Sequence, residues 1–189
     1  MLEQLLLWDE TLFLFLNGLG SSFQDPFWLL LSERGTNVIV YLFLVIIYGK
    51  KHGWKSAFFL LLIGGLMVGA TDQITNGFKY GFMRLRPCHV PEFQDVMRMV
   101  GGCGGKYSFF SGHSSNSFAL AMLFSLIFRR IKWVMPVLLC LATLIAYSRI
   151  YLGVHFPLDI ICGALAGILI ASLVYSLVNK RATKILPLY

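Results

Sequence analysis

The chain has 189 residues, of which 57% are hydrophobic and only 13% charged, and its mean hydropathy is +0.72. A soluble domain carries about twice that share of charge, so this composition describes an integral membrane protein, and the length suits a single membrane-embedded domain over residues 1–189. The formal charge of +7 would suit nucleic acid, but the basic residues gather at the ends of apolar runs, which points to a membrane partner and no nucleic acid.

In chain order, Met1 to Leu16 carries Glu3, Asp9 and Glu10 and lacks a basic leader and a small-residue cleavage site, so it is expected to be retained. With Leu5, Trp8, Leu12, Phe13 and Phe15 beside those acids, it reads as an interfacial amphipathic helix or a short buried one, broken by Asn17, Gly18 and Gly20. Asp25 to Ser32 is a short apolar lead-in, and Glu33 and Arg34 belong at the surface. Five spans are then expected: Gly35 to Tyr48, Trp54 to Phe78, Ser114 to Phe128, Trp133 to Tyr147 and Phe156 to Val178. The fold class is thus all-α, a polytopic bundle of about five transmembrane helices plus the N-terminal helix. Gly64, Gly65 and Gly69 are expected at close helix contacts. Gly163 and Gly167 have small-xxx-small spacing, read as packing within the chain in preference to dimerisation; the oligomeric state stays open.

Three basic clusters, Lys50/Lys51/Lys55, Arg129/Arg130/Lys132 and Lys180/Arg181/Lys184, contain no acid and are expected on the cytoplasmic side. Alternation then puts Lys79 to His113 and Ser148 to His155 on the outer side, which also carries Arg34, Arg84, Arg98 and Lys106.

Three polar stretches fall on that outer side. In Lys79-Tyr-Gly-Phe-Met-Arg-Leu-Arg86-Pro87, the proline forces an extended residue before it, so both end cations can turn toward one anion; snorkelling at a helix end is the structural alternative. In Ser111-Gly112-His113, directly before an apolar run, free N–H groups at a helix start and a serine hydroxyl form an anion cradle with a proton donor beside it, or simply an N-cap. In Ser148-Arg149-x5-His155-x3-Asp159, Pro157 opens a helix and places Asp159 in its first turn, four residues after His155. A carboxylate there can hold one imidazole nitrogen and leave the other as nucleophile or base, while Arg149 offers a fork of donors to phosphate; a polar loop with an ion pair is the plainer reading. Asp72 and Asn76 share a helix face one turn before Lys79 and could orient it, or be the wet end of a span.

Together Lys-x6-Arg-Pro, Ser-Gly-His and Ser-Arg-x5-His-x3-Asp resemble, in this order, the three-part signature of the type 2 phosphatidic acid phosphatase superfamily. One departure is Phe110, where the family pattern commonly has proline before Ser-Gly-His, which bears on the rigidity of that loop. The resemblance implies a membrane lipid phosphatase acting through a phosphohistidine. His155 would be the nucleophile, Asp159 its orienting carboxylate and His113 the proton donor. Lys79, Arg86, Ser111, Gly112 and Arg149 would bind phosphate. No metal or other cofactor is expected, because the acids are scattered and no cluster has metal-ligand spacing. The expected partner is a lipid phosphate or diphosphate substrate of the undecaprenyl diphosphate, phosphatidylglycerophosphate or lipid A phosphate class. The expected location is a bacterial inner membrane, with the site on the outer side. A phosphotransferase to a second lipid or sugar, and an anion channel or transporter, are the alternatives. Cys140 and Cys162 read as small buried residues. Cys88 and Cys103, in the long outer connection, read either as a disulfide or as two free thiols in a flexible loop.

Overall fold

A computed structural model describes residues 1–181 and contains seven α-helices and no strand among them. They are α1 (Leu2–Gly18), α2 (Asp25–Ser32), α3 (Arg34–His52), α4 (Trp54–Phe82), α5 (Gly112–Ile127), α6 (Val134–Tyr151) and α7 (Pro157–Arg181). Between α4 and α5 lie two single 3₁₀ turns, Pro87–His89 and Pro91–Phe93, and an isolated antiparallel bridge between Leu85 and Tyr107.

Three helices, α4, α6 and α7, are each long and apolar enough to cross a bilayer. A fourth crossing results if α2 and α3, bent by 59° at their junction, count as one span. The five expected spans all fall on helices, but α3 qualifies only together with α2, and α5 is 16 residues long. At 1.5 Å per residue that is roughly 24 Å, short of a hydrocarbon core of roughly 30 Å. What α5 lacks in length it gains in enclosure: it packs against α7, α6 and α4, with Ala119, Ala121, Leu123, Phe124 and Ile127 buried.

The closest helix approach is between α5 and α7, and glycine permits it. A Cβ on Gly163 would stand 2.6 Å from the Ser111 carbonyl oxygen, and one on Gly167 would collide with the Ser115 carbonyl oxygen and lie 3.0 Å from the Ala119 nitrogen. The pair therefore serves contact within the chain. Gly65 and Gly69 differ from expectation: a Cβ on either would meet nothing within 4 Å, and one on Gly64 only Leu120, at 3.8 Å. Gly64 and Gly65 instead line a cavity, so their missing side chains widen a space rather than close a contact.

The N-terminal segment also departs from the expected arrangement. α1 runs two residues past Leu16 before it ends at Gly18, and Asn17 is its last buried residue, on a stripe with Asp9 and Phe13. The Asn17 amide donates to the carbonyls of Arg98, Ile150 and Tyr151, and its oxygen accepts from the Arg98 N–H at 2.7 Å. A residue read as a helix breaker is thus a buried clamp joining α1, the α4–α5 connection and the end of α6. The exposed side of α1 carries Leu5, Trp8, Leu12 and Phe15. At the next corner Tyr151 donates to Asp25 at 2.6 Å, and Arg98 pairs with the same carboxylate at 3.1 Å.

Cys88 and Cys103 are joined in a disulfide, with Cα atoms 6.0 Å apart, which ties the two ends of the α4–α5 connection. Cys162 is half-buried and Cys140 exposed on the bundle's outer surface, where a buried position was expected. Of the third basic cluster, the Arg181 side chain and Lys184 lie outside the described residues.

Gly167→Leu should force α7 off α5 and destabilise the fold by about 3 kcal/mol, the upper range for overpacking. Thermal unfolding in detergent measures this, and the equivalent change at Gly69 should have little effect.

Candidate active site

The path of the chain at the end of α6 places the central histidine. The helix runs on to Tyr151, one turn further than expected, so Arg149 sits in its last turn. Gly153 then adopts φ 78°, a left-handed conformation that disfavours a side chain, and a Cβ there would lie 2.8 Å from the Arg98 carbonyl oxygen. This turn folds the chain back so that the N–H groups of Val154 and His155 both donate to the Arg149 carbonyl, at 3.1 and 3.3 Å. Pro157 starts α7, as the sequence predicts.

His155 and Asp159 are both buried, at 1% and 0% exposure. The imidazole Nδ1 lies 3.3 Å from Asp159 Oδ2, which also accepts from the Phe156 N–H at 2.9 Å. Burial pushes the His155 imidazole pKa down, and the Asp159 carboxylate raises it back only in part. The ring is therefore neutral at physiological pH. With Nδ1–H donating to the carboxylate, Nε2 keeps a free lone pair.

His155 opens on a cavity of about 640 Å³ that is also lined by Lys79, Arg86, Gly112, His113 and Arg149. Six of the eight predicted site residues, from three separate stretches of chain, thus share one space. Arg86 is held by its own loop, donating from Nε to the Tyr107 carbonyl at 3.2 Å and from Nη1 to the Cys103 carbonyl at 2.6 Å, beside the disulfide. Arg149 Nη1 donates to the Ser32 hydroxyl at the end of α2, while its Nε is buried without a partner among the described residues. A second recess of about 320 Å³ shares Arg34, His113 and Arg149 with the main cavity.

The other two predicted residues stand behind the lining. Asp159 supports His155. Ser111 is fully buried as the N-cap of α5, its Oγ accepting from the Ser114 N–H at 3.4 Å, and its own N–H donates to the Asp159 carbonyl at 3.0 Å. It precedes Gly112, which does line the cavity. Phe110, where proline was expected, is 3% exposed and packs on Phe78 with ring centroids 5.1 Å apart. Aromatic packing therefore supports this loop. Asp72 does not bond Asn76; its Oδ1 accepts from the Asn116 amide at 2.7 Å.

Sequence reading missed Arg84 and Asp9. Arg84 donates to Asp159 Oδ1 at 3.2 Å and to Asp9 Oδ2 at 2.7 Å, and its guanidinium lies 3.9 Å from the centre of the Phe156 ring. Asp9 Oδ1 accepts from the Leu158 N–H at 2.8 Å, so α1 touches the first turn of α7 directly. The available signal was an acid on the same helical stripe as Phe13 and Asn17, and a third cation inside Lys-x6-Arg-Pro. Among the described residues one group of potential metal ligands occurs, Cys88, His89 and Cys103, and its two thiols are joined to each other.

The PAP2 superfamily model matches residues 54–183. This chain belongs to the PAP2 superfamily. A lipid A 4'-phosphatase of Porphyromonas gingivalis is 40% identical to it over 177 residues, covering 92% of this chain and 74% of that protein. A lipid A 4'-phosphatase of Bacteroides thetaiotaomicron is 33% identical over 181 residues, covering 94% and 80%. A solved structure, the first transmembrane PAP2 type phosphatidylglycerolphosphate phosphatase from Bacillus subtilis, shares the fold with a TM-score of 0.71 at 22% identity, covering 94% of this chain and 88% of that one. The chain is an integral membrane protein of this superfamily. Its α1 to α3, including Asp9 and Ser32, precede the matched region.

Arg84→Ala should leave Asp9 buried without its counter-charge and destabilise the protein by about 3 kcal/mol. Unfolding in detergent checks this. Arg84→Ala with Asp9→Asn should recover part of the loss, because only Asp159, of the two carboxylates that Arg84 pairs with, then remains without its counter-charge.

Proposed function

We propose that this protein is a membrane phosphatase that removes phosphate from a phosphorylated saccharolipid of the lipid A class through a phosphohistidine intermediate. The observation that carries this reading is the single cavity in which the His155 ring, backed by Asp159, meets Lys79, Arg86, Arg149, His113 and the Gly112 amide. The two relatives described as lipid A 4'-phosphatases support the substrate class.

In this mechanism His155 Nε2 attacks phosphorus and the bond from phosphorus to the sugar oxygen breaks. His113 donates its proton to that leaving oxygen. Lys79, Arg86, Arg149 and the Gly112 N–H stabilise the charge on the equatorial oxygens. The Ser111 hydroxyl, behind the lining, caps α5 and so holds Gly112 in place. A water, deprotonated by His113, then attacks the phosphohistidine, releasing inorganic phosphate and returning both histidines to their starting state. Asp159 stabilises the positive charge that His155 acquires on attack. Positive charge and N–H donors from the chain supply what phosphoryl transfer requires, so the reaction needs no metal.

The chain acts as one domain with five crossings, α5 included, in a bacterial inner membrane. The basic ends of α3, α4, α6 and α7 face the cytoplasm and the catalytic cavity faces outward. The cavity extends between α3 and α4 past Val38, Leu42, Leu61 and Val68, a route by which acyl chains can remain in lipid while the phosphate reaches the cations.

His155→Ala should lower phosphate release from lipid A by at least about a thousandfold, as loss of a nucleophile does, with unfolding temperature retained. Turnover within tenfold of the parent would overturn the phosphohistidine. Activity of the purified parent should persist in excess chelator and be inhibited by vanadate; loss in chelator with recovery on adding a divalent cation would indicate a metal-assisted reaction.

A further inference from the structure

The cationic residues occupy only one part of the cavity. Next to them, on the faces of α4 and α5 below Gly112, the lining changes to oxygen. Asp72, Thr75, Asn116 and Ser117 all border the same space, and Asn37 joins them from α3. Asp72 lies close beside the anion cradle, since a Cβ on Gly112 would stand 3.7 Å from its Oδ1 and 3.5 Å from Thr75 Cγ2.

A carboxylate at the border of a phosphate site repels that ligand, so beyond any service to Lys79, which lines the same cavity, it calls for a second role. This carboxylate is also built in. Its Oδ1 accepts from the Asn116 amide at 2.7 Å, and the Asn116 oxygen is in turn engaged by the Thr71 hydroxyl. The network fixes the Asn116 side chain and leaves the second carboxylate oxygen uncommitted.

Three residues that border this space carry side-chain oxygens with nothing to bond. Thr75 Oγ1, Ser117 Oγ and Asn37 Oδ1 are buried without a hydrogen-bond partner among the described residues, and Thr75 and Ser117 are 1% and 2% exposed. An unpaired buried polar oxygen costs about 1–3 kcal/mol, so three around one cavity, beside a carboxylate, mark where a ligand supplies hydrogen-bond donors.

We propose that Asp72, Thr75 and Ser117, aided by Asn37, form a subsite for the donor-bearing sugar of the substrate, adjoining the phosphate cradle and selecting a phosphosugar lipid over other lipid phosphates. This rests on the function proposed above and adds the residues that choose among its substrates. A phosphorylated amino sugar carries an amide N–H, and any hydroxyl left unacylated, on the same ring as its phosphate. A phosphatidic acid has both glycerol oxygens esterified and an undecaprenyl diphosphate has a hydrocarbon chain, so neither brings donors to that wall. A site built to bond such donors discriminates against ligands that lack them, because its oxygens then remain unpaired.

The test compares phosphate release from lipid A and from phosphatidic acid by the full-length protein in detergent. Thr75→Val, which conserves volume, and Asp72→Asn should each lower kcat/KM for lipid A about tenfold, the effect of one lost hydrogen bond, and leave phosphatidic acid within about twofold. Ser117→Ala guards against a variant that does not fold. Parallel losses on both substrates would overturn the inference alone, since Asp72 would then serve Lys79 or the helix contact. No loss on either substrate would overturn it as well. A parent enzyme that hydrolyses phosphatidic acid and not lipid A would overturn the proposed substrate class together with this subsite.

Discussion

The carboxyl group of Asp159 is the point at which the structure is tied together. In the first turn of α7, it accepts from the Phe156 N–H, holds one nitrogen of His155 and pairs with Arg84, while the carbonyl of the same residue takes the N–H of Ser111. One residue therefore fixes the orientation of the histidine, the start of α5 and the end of the α4 connection. Its site is electrostatically suited, because the free N–H groups at a helix start favour negative charge and the neighbouring guanidinium offsets its burial. Moving α7 along its axis would disturb all of these bonds at once, which makes the glycine contacts at Gly163 and Gly167 part of the same constraint.

The N-terminal helices brace that arrangement from outside the region matched by the family model. Asp9 bonds both Arg84 and the Leu158 N–H, Asn17 clamps the backbone of the α4–α5 connection to the end of α6, and Ser32 takes a guanidinium N–H of Arg149. These are polar contacts in an apolar setting, where a broken hydrogen bond is not readily replaced by water. The disulfide between Cys88 and Cys103 works in the same sense, holding the loop whose carbonyls position Arg86. The guanidinium groups of Arg86 and Arg149 are thus held by backbone carbonyls and a neighbouring hydroxyl.

Much of this was legible in the sequence because it is local. The helices follow from apolar runs bounded by charge, glycine and proline, and the His155–Asp159 pair follows from a spacing of four residues across a helix start opened by Pro157. The three polar stretches were visible as ionisable groups where a membrane chain can least tolerate idle ones. Expectations failed where one local pattern serves two purposes. Gly64 and Gly65 widen a cavity and Gly163 and Gly167 close a helix contact, although their residue types are identical. Asn17 resembles a helix stop until three carbonyls from distant chain are brought to its amide.

By itself the sequence determined that the chain lives in a membrane and where its helices run, and it singled out the residues proposed to handle a phosphoryl group, since these depend on composition and on spacings within a turn or two. Only the tertiary structure decided that Asp9, 75 residues from Arg84, is its ion-pair partner, that Ser111 stands behind the cavity lining, and that an oxygen-rich wall adjoins the cations. The physical reason is that a hydrogen bond or ion pair depends on positions in space to within a fraction of an ångström, and for residues on different helices those positions are set by packing, which no spacing along the chain encodes.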